Sequence, residues 1–192
     1  LKPDFAEAYI NLGITLQELG KLEEAEVTYF QAIALKPDFA EVHINLGITL
    51  HQLGRLEEAK ASYIKAITLK PCFAEAHSNL GNILKDLGRL EEAKVSYTQA
   101  IELDPKHPQV YSNLGVTLQE LFRLEEAVIS LRHAIRLKPD FAEAYFNLGN
   151  TFKELNKLNE AESTLIQAIA LKPEYTTAQH MLAALTGKTT TV

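Results

Sequence analysis

The sequence predicts an all-α fold in which antiparallel helix pairs stack into a solenoid. Two observations support this prediction: a 34-residue repeat in residue type, and apolar residues spaced three and four apart inside each repeat. A period of this length is typical of stacked supersecondary units that bury their apolar faces against one another. The prolines that mark the repeat are Pro3, Pro37, Pro71, Pro105, Pro139 and Pro173.

The repeat divides most of the chain into five full units, counted from Ala6. Residues 1–5 are interpreted as the end of a preceding repeat. A C-terminal helix is predicted over residues 176–187, and residues 188–192 are predicted to form a flexible tail. The five units span residues 6–39, 40–73, 74–107, 108–141 and 142–175.

The first unit illustrates how each repeat forms two helices. Its first half predicts a helix over residues 6–19 with one buried face, and Gly20 suits the left-handed end of that helix. A second helix is predicted over residues 22–35, because Pro37 prevents its continuation. The apolar stripe of the first helix consists of Tyr9, Leu12, Leu16 and Leu19.

A glycine recurs inside the first helix of every unit, and Gly13 is the first of them. Glycine in a helix interior costs about 1 kcal/mol relative to alanine, so a packing advantage must offset this cost. We expect the two helices of the first unit to approach closely at three small residues, Gly13, Ala25 and Ala32.

The turn between the two helices departs from the pattern in two units. Phe122 and Asn156 stand where the other units have glycine. Asparagine tolerates the left-handed backbone conformation that ends a helix, whereas phenylalanine does not readily adopt it. The sequence therefore predicts an altered turn at Phe122.

The recurring positions resemble the tetratricopeptide-repeat family, and the resemblance covers nearly the whole chain. It implies a right-handed superhelix in which the first helix of each pair lines a concave groove. It also implies a scaffold that binds a protein or peptide in this groove. In the first unit the matching residues are Tyr9, Leu12, Gly13, Leu16, Ala25, Tyr29, Ala32 and Pro37.

One asparagine recurs in the first helix of each unit, on the side that the family points into the groove. Its amide offers both a donor and an acceptor, so it can pair with the backbone of an extended peptide of any sequence. In this respect the array resembles the peptide-binding arm of O-linked N-acetylglucosamine transferase. Alternatively, each amide bonds a neighbouring helix, and both interpretations stay open. The five residues are Asn11, Asn45, Asn79, Asn113 and Asn147.

Apolar and charged groove residues complete the predicted peptide-binding site. An apolar patch is predicted on the first two units, because its residues form pairs four apart on one helix face. The groove helices hold eight acidic residues and two basic ones, Lys85 and Lys153, which favours a neutral or basic partner. The patch consists of Ile10, Ile14, Ile44 and Ile48.

The sequence holds no catalytic motif, so neither an enzyme nor a cofactor is predicted. His43 and His77 occupy a position where other units have tyrosine, and we interpret them as packing residues and not as metal ligands. Scattered Lys and Arg residues predict no nucleic-acid partner, and no apolar stretch is long enough to cross a membrane. The lone Cys72 suits a reducing compartment, which predicts a cytoplasmic location.

Two alternatives to a peptide-binding scaffold stay open. Residues 178–188 resemble the junction that follows such repeats in bacterial proteins with a C-terminal methyltransferase-like domain. That resemblance implies a recruiting arm of a larger enzyme, methyltransferase-like or glycosyltransferase. In the second alternative the array serves self-assembly, because apolar residues near both ends predict weak end-to-end association.

Overall fold

The computed structural model describes residues 4–187, and this part of the chain contains eleven α-helices joined by short turns. The predicted all-α class is therefore confirmed. The predicted tail at residues 188–192 lies outside the described residues, as do residues 1–3. The helices are α1 (Asp4–Glu18), α2 (Leu22–Leu35), α3 (Ala40–Gln52), α4 (Leu56–Leu69), α5 (Ala74–Asp86), α6 (Leu90–Leu103), α7 (Pro108–Glu120), α8 (Leu124–Leu137), α9 (Ala142–Glu154), α10 (Leu158–Leu171) and α11 (Thr176–Thr186).

The chain forms two compact units, Leu1–Leu103 and Asp104–Val192. In the first unit, α1–α6 form three consecutive helix pairs, and each first helix also contacts the next first helix. In the second unit, α7–α10 form two pairs and α11 packs on α10. Because the first helices contact one another, their exposed side chains form one continuous surface within each unit.

The glycine inside each first helix lies against a large side chain of the second helix. A Cβ atom on Gly81 would lie 2.7 Å from the ring of Tyr97, and one on Gly115 would lie 2.6 Å from Cγ of Leu131. The expected close approach is therefore present, but the group that excludes a Cβ at Gly13 is the Tyr29 ring and not a helix backbone. The glycine makes room for the bulkiest residue in the core of the pair.

The predicted alteration of the turn at Phe122 is wrong. Phe122 has φ of 57°, in the same left-handed region as Gly88 with φ of 72°. The same backbone hydrogen bond forms in both turns, from Phe122 N–H to the Gln119 carbonyl and from Gly88 N–H to the Lys85 carbonyl. The packing of the flanking helices imposes this conformation, although phenylalanine disfavours it.

No helix within residues 4–187 is long and apolar enough to cross a membrane.

Candidate peptide-binding groove

The predicted asparagines lie on the first helices with their amide groups largely unused. Asn11 is exposed, and Asn45, Asn79 and Asn147 are half-buried. Within residues 4–187, the side chains of these four asparagines make no hydrogen bond to the rest of the protein. The fold therefore leaves their donors and acceptors to solvent or to a ligand.

Asn113 differs from the other four. Its Oδ1 accepts a hydrogen bond of 3.0 Å from Nε2 of Gln109, which lies one turn earlier on α7. Gln109 stands where the other units have glutamate, and a carboxylate cannot donate such a bond. Because this position is glutamine, the Asn113 side chain accepts a hydrogen bond inside α7.

A threonine lies one turn after most of the asparagines and was not singled out in the sequence. Thr49 and Thr151 are fully buried, and each Oγ1 donates to the backbone carbonyl of the asparagine four residues earlier, at 3.0 and 2.8 Å. These bonds satisfy the buried hydroxyl locally. They use the carbonyl of the asparagine and leave its side-chain amide available.

Polar side chains near the ends of the first helices link neighbouring repeats. Gln17 Nε2 donates to Gln52 Oε1 at 3.3 Å, and His51 Nε2 lies 2.9 Å from Asp86 Oδ2. In the second unit, Gln119 Nε2 donates to Glu154 Oε1 at 2.5 Å. All three pairs are separated by 35 residues, so this spacing in the sequence could have identified them.

The prediction of an exposed apolar patch on the first two repeats is wrong. Ile10 is 8% exposed and Ile44 is 2% exposed, and both belong to the core of the first unit. Ile48 is half-buried against the same core, and only Ile14 is exposed. Contact between successive first helices buries these residues, which the stripe on one helix cannot reveal.

The two groove lysines lie in different surroundings. Lys85 is half-buried, and its Nζ lies 3.8 Å from Oδ1 of Asp86, the neighbouring residue. Lys153 is exposed at the end of α9 and makes no ion pair with any described residue. Of the two, Lys153 offers the more available positive charge.

Part of the acidic charge predicted for the groove is neutralised by the fold. Lys70 Nζ donates to Glu41 Oε1 at 3.0 Å. Burial raises the pKa of the Glu41 carboxyl, but this hydrogen bond and the charges of Lys70 and Lys36 together hold it below its ordinary value. Glu7, Glu75 and Glu143 at the equivalent position are exposed, so the groove keeps acidic character.

The two histidines at the tyrosine position contact the preceding turn. His43 Nε2 lies 3.3 Å from the Pro37 carbonyl, and His77 Nε2 lies 3.0 Å from the Pro71 carbonyl. Burial lowers the pKa of His43 below its ordinary value, because it disfavours the charged imidazolium. Among the described residues, no three His, Cys, Asp or Glu side chains come together as metal ligands.

The paired helices, the glycine-to-ring packing and the first-helix surface define a tetratricopeptide-repeat protein. The chain belongs to the family described as the C-terminal domain of cilia and flagella-associated protein 70, whose model matches residues 4–190. The comparison with curated proteins gave no match.

Solved structures of other tetratricopeptide proteins are similar to this fold. One is YrrB, described as having an unusual peptide-binding site, with 25% identity and a TM-score of 0.77 over 90% of this chain and 89% of YrrB. PilF of Pseudomonas aeruginosa has 20% identity and a TM-score of 0.85 over 96% of this chain and 86% of its own. MamA of Desulfovibrio magneticus RS-1 has 20% identity and a TM-score of 0.83, covering 90% and 97% of the two chains. The family match and the similarity to YrrB support a protein-interaction scaffold, and the two structures at 20% identity show the fold alone.

Proposed function

We propose that this protein binds an extended segment of another protein along its first helices. The observation that supports this is the set of four asparagine amides without a partner in the described fold: Asn11, Asn45, Asn79 and Asn147. Each can donate to a peptide carbonyl and accept from a peptide N–H. The peptide-binding site described for YrrB, which is similar to this chain, agrees with this function.

The geometry of a helical array suits an extended ligand. Packed helices lie about 8–10 Å apart, and an extended chain advances about 3.3 Å per residue. Successive asparagines in the first unit would therefore meet about every third residue of the bound segment. Because the contacts are to backbone groups, the site would accept different sequences.

The charge of the groove favours a neutral or basic segment. Glu7 and Glu75 are exposed on the first helices of the first unit, and Glu41 is already paired with Lys70. A basic peptide should therefore bind more tightly than an acidic one of matched length, and its affinity should fall as salt rises. Tight, salt-independent binding of an acidic peptide would contradict the proposal.

The test begins with a random-sequence peptide library selected against the protein and measures the best peptide by titration calorimetry. Replacing Asn45 and Asn79 by alanine should weaken binding by about 1 kcal/mol per lost hydrogen bond. The control is Asn159→Ala, because this exposed residue lies on the second helix α10. Equal affinity of the double variant and the control, with unchanged melting curves, would refute the role of the amides.

A further inference from the structure

A second surface lies mainly on the second helices of the first unit. In the first unit, a cavity of about 510 Å³ opens between α4 and α6, with α5 below it. We call it the α4–α6 cleft. Ile64 and Val95, both exposed, line its sides, and Leu80 and Leu84 of α5 also line it. Lys60 and Arg89 provide positive charge at its edge.

The neighbouring cleft between α2 and α4 has an ion pair at the equivalent place. There Arg55 Nη1 donates to both carboxylate oxygens of Glu26, at 2.8 and 2.7 Å. The same guanidinium binds Glu58 through Nε and Nη2. This ion pair joins the second helices across the cleft, and Leu46 and Leu50 below it are buried.

One substitution prevents the same ion pair between α4 and α6. Arg89 stands 34 residues after Arg55, and Lys60 stands 34 residues after Glu26. Arg89 binds Glu92 through Nε and Nη2, at 2.6 Å each, as Arg55 binds Glu58. Its Nη1, however, has no acceptor among the described residues, because Lys60 is a cation paired with Glu57.

In the second unit, the equivalent cleft between α8 and α10 is covered in a different way. Phe152 is the residue equivalent to Leu84. The guanidinium of Arg132 lies 5.7 Å from the centre of the Phe152 ring. The α4–α6 cleft has Ile64 at the position of Arg132, and an aliphatic side chain makes no such contact. Ile64 and Val95, at 47% and 63% exposed, are the accessible apolar residues of this cleft, and Leu84 is buried.

From these comparisons we infer that the α4–α6 cleft binds a partner segment carrying a carboxylate beside a bulky apolar side chain. The carboxylate takes the place that Glu26 holds in the neighbouring cleft, between Arg89 Nη1 and the Lys60 ammonium. The apolar side chain contacts Ile64 and Val95, the exposed apolar residues of the cleft. Each nearby acid is already paired, Glu57 with Lys60, Glu92 with Arg89 and Glu91 with Lys94, so an added carboxylate meets no unpaired negative charge.

The test uses 4-phenylbutyrate, which carries a carboxylate and an aromatic ring, and its neutral amide as the matched probe. Titration followed by ¹H–¹⁵N NMR should give saturable shifts at the backbone amides of Ile64, Arg89 and Val95. The amide should bind about tenfold more weakly, because it cannot accept charge-assisted hydrogen bonds. Equal binding of acid and amide, or no saturable shift at these residues, would overturn the inference.

Two charge reversals provide matched controls, since each recreates an arrangement already present in the chain. Lys60→Glu places a carboxylate opposite Arg89, as Glu26 lies opposite Arg55, and should abolish binding of 4-phenylbutyrate at the α4–α6 cleft. Glu26→Lys should free Arg55 Nη1, which now donates to Glu26, and create a second set of shifts near Phe30 and Arg55. Undiminished binding by a folded Lys60→Glu variant would overturn the inference.

Discussion

At the scale of single residues, two side chains occupy positions that their chemistry disfavours. Phe122 adopts a left-handed backbone conformation although the residue is 86% exposed, so burial of the ring does not offset the steric cost. His43 is a buried titratable group of the first unit, where burial disfavours the charged imidazolium and lowers its pKa. Each of them makes a local contribution to stability that a single substitution can isolate.

Replacing Phe122 by glycine is expected to stabilise the protein by about 1 kcal/mol. Glycine adopts φ of 57° without the Cβ penalty that phenylalanine incurs. Chemical denaturation of the second unit's helices measures the change. Asn156→Gly is the matched control at the same φ and should gain less, since asparagine tolerates this region better. A loss of stability in Phe122→Gly would contradict the prediction.

Lowering the pH should destabilise the protein partly through His43. Its folded pKa lies below the ordinary value of 6.5, so between these two values the unfolded chain binds more protons. The free energy of unfolding should therefore fall as the pH drops through about 6.5. Other repeats have tyrosine at this position, as at Tyr9 and Tyr145. The variant His43→Tyr should therefore lose less stability than the wild type between pH 7.5 and about pH 5.5. Parallel pH profiles of the two proteins would refute this assignment.

At the scale of helices, the pair is the packing unit, and its fit depends on one glycine facing one large side chain. Tyr29, Tyr63 and Tyr97 are fully buried in this place in the first unit, and Leu131 and Leu165 replace them in the second. The Tyr97 hydroxyl donates to Oδ1 of Asn82 at 2.7 Å, and the Tyr29 hydroxyl donates to Oε1 of Gln17 at 3.1 Å. Burial raises the pKa of Tyr29 to about 12. The tyrosine therefore links the second helix to polar side chains of the first.

Gly81→Ala should destabilise the pair α5–α6 by about 1–3 kcal/mol, since the added methyl group meets the Tyr97 ring. An alanine in an unobstructed helix would instead stabilise by about 1 kcal/mol, so the sign of the change identifies the contact. Urea denaturation measures it. Glu162→Ala, an exposed substitution on α10, is the control and should change stability by less than about 0.5 kcal/mol. A stabilising effect of Gly81→Ala would show that the ring moves aside freely.

At the scale of the whole molecule, the chain joins two compact units with a net charge of −6. Helix α1 exposes apolar side chains whose equivalents in later repeats are covered by a preceding helix pair. Leu12 is exposed, whereas Leu46 and Leu148 at the same position are buried. The face of α1 therefore has the residues to pack against another helix.

Weak self-association through this face is expected, because burying apolar surface stabilises contact by about 25 cal/mol per Å² before association entropy is subtracted. Sedimentation velocity across a range of concentrations should show a rising average mass. Leu12→Gln, at a residue of α1 that is 47% exposed, should reduce the effect. Phe122→Gln, at an exposed ring remote in sequence from α1, should leave it unchanged. A strict monomer at all concentrations would contradict the expectation.

The sequence by itself determined the helices, their order and the position of the asparagines on the first helices, because these depend on local spacing and on turn residues. The all-α class and the tetratricopeptide family were predicted from the repeat alone. The tertiary structure decided which groups remain accessible. It buried Ile10 and Ile44, and it held Phe122 in a left-handed backbone conformation that is typical of glycine. It also left Arg89 Nη1 without an acceptor in the α4–α6 cleft, because Lys60 stands at the position of Glu26. Accessibility depends on what neighbouring repeats place opposite a residue, and the pattern within one helix does not contain that information.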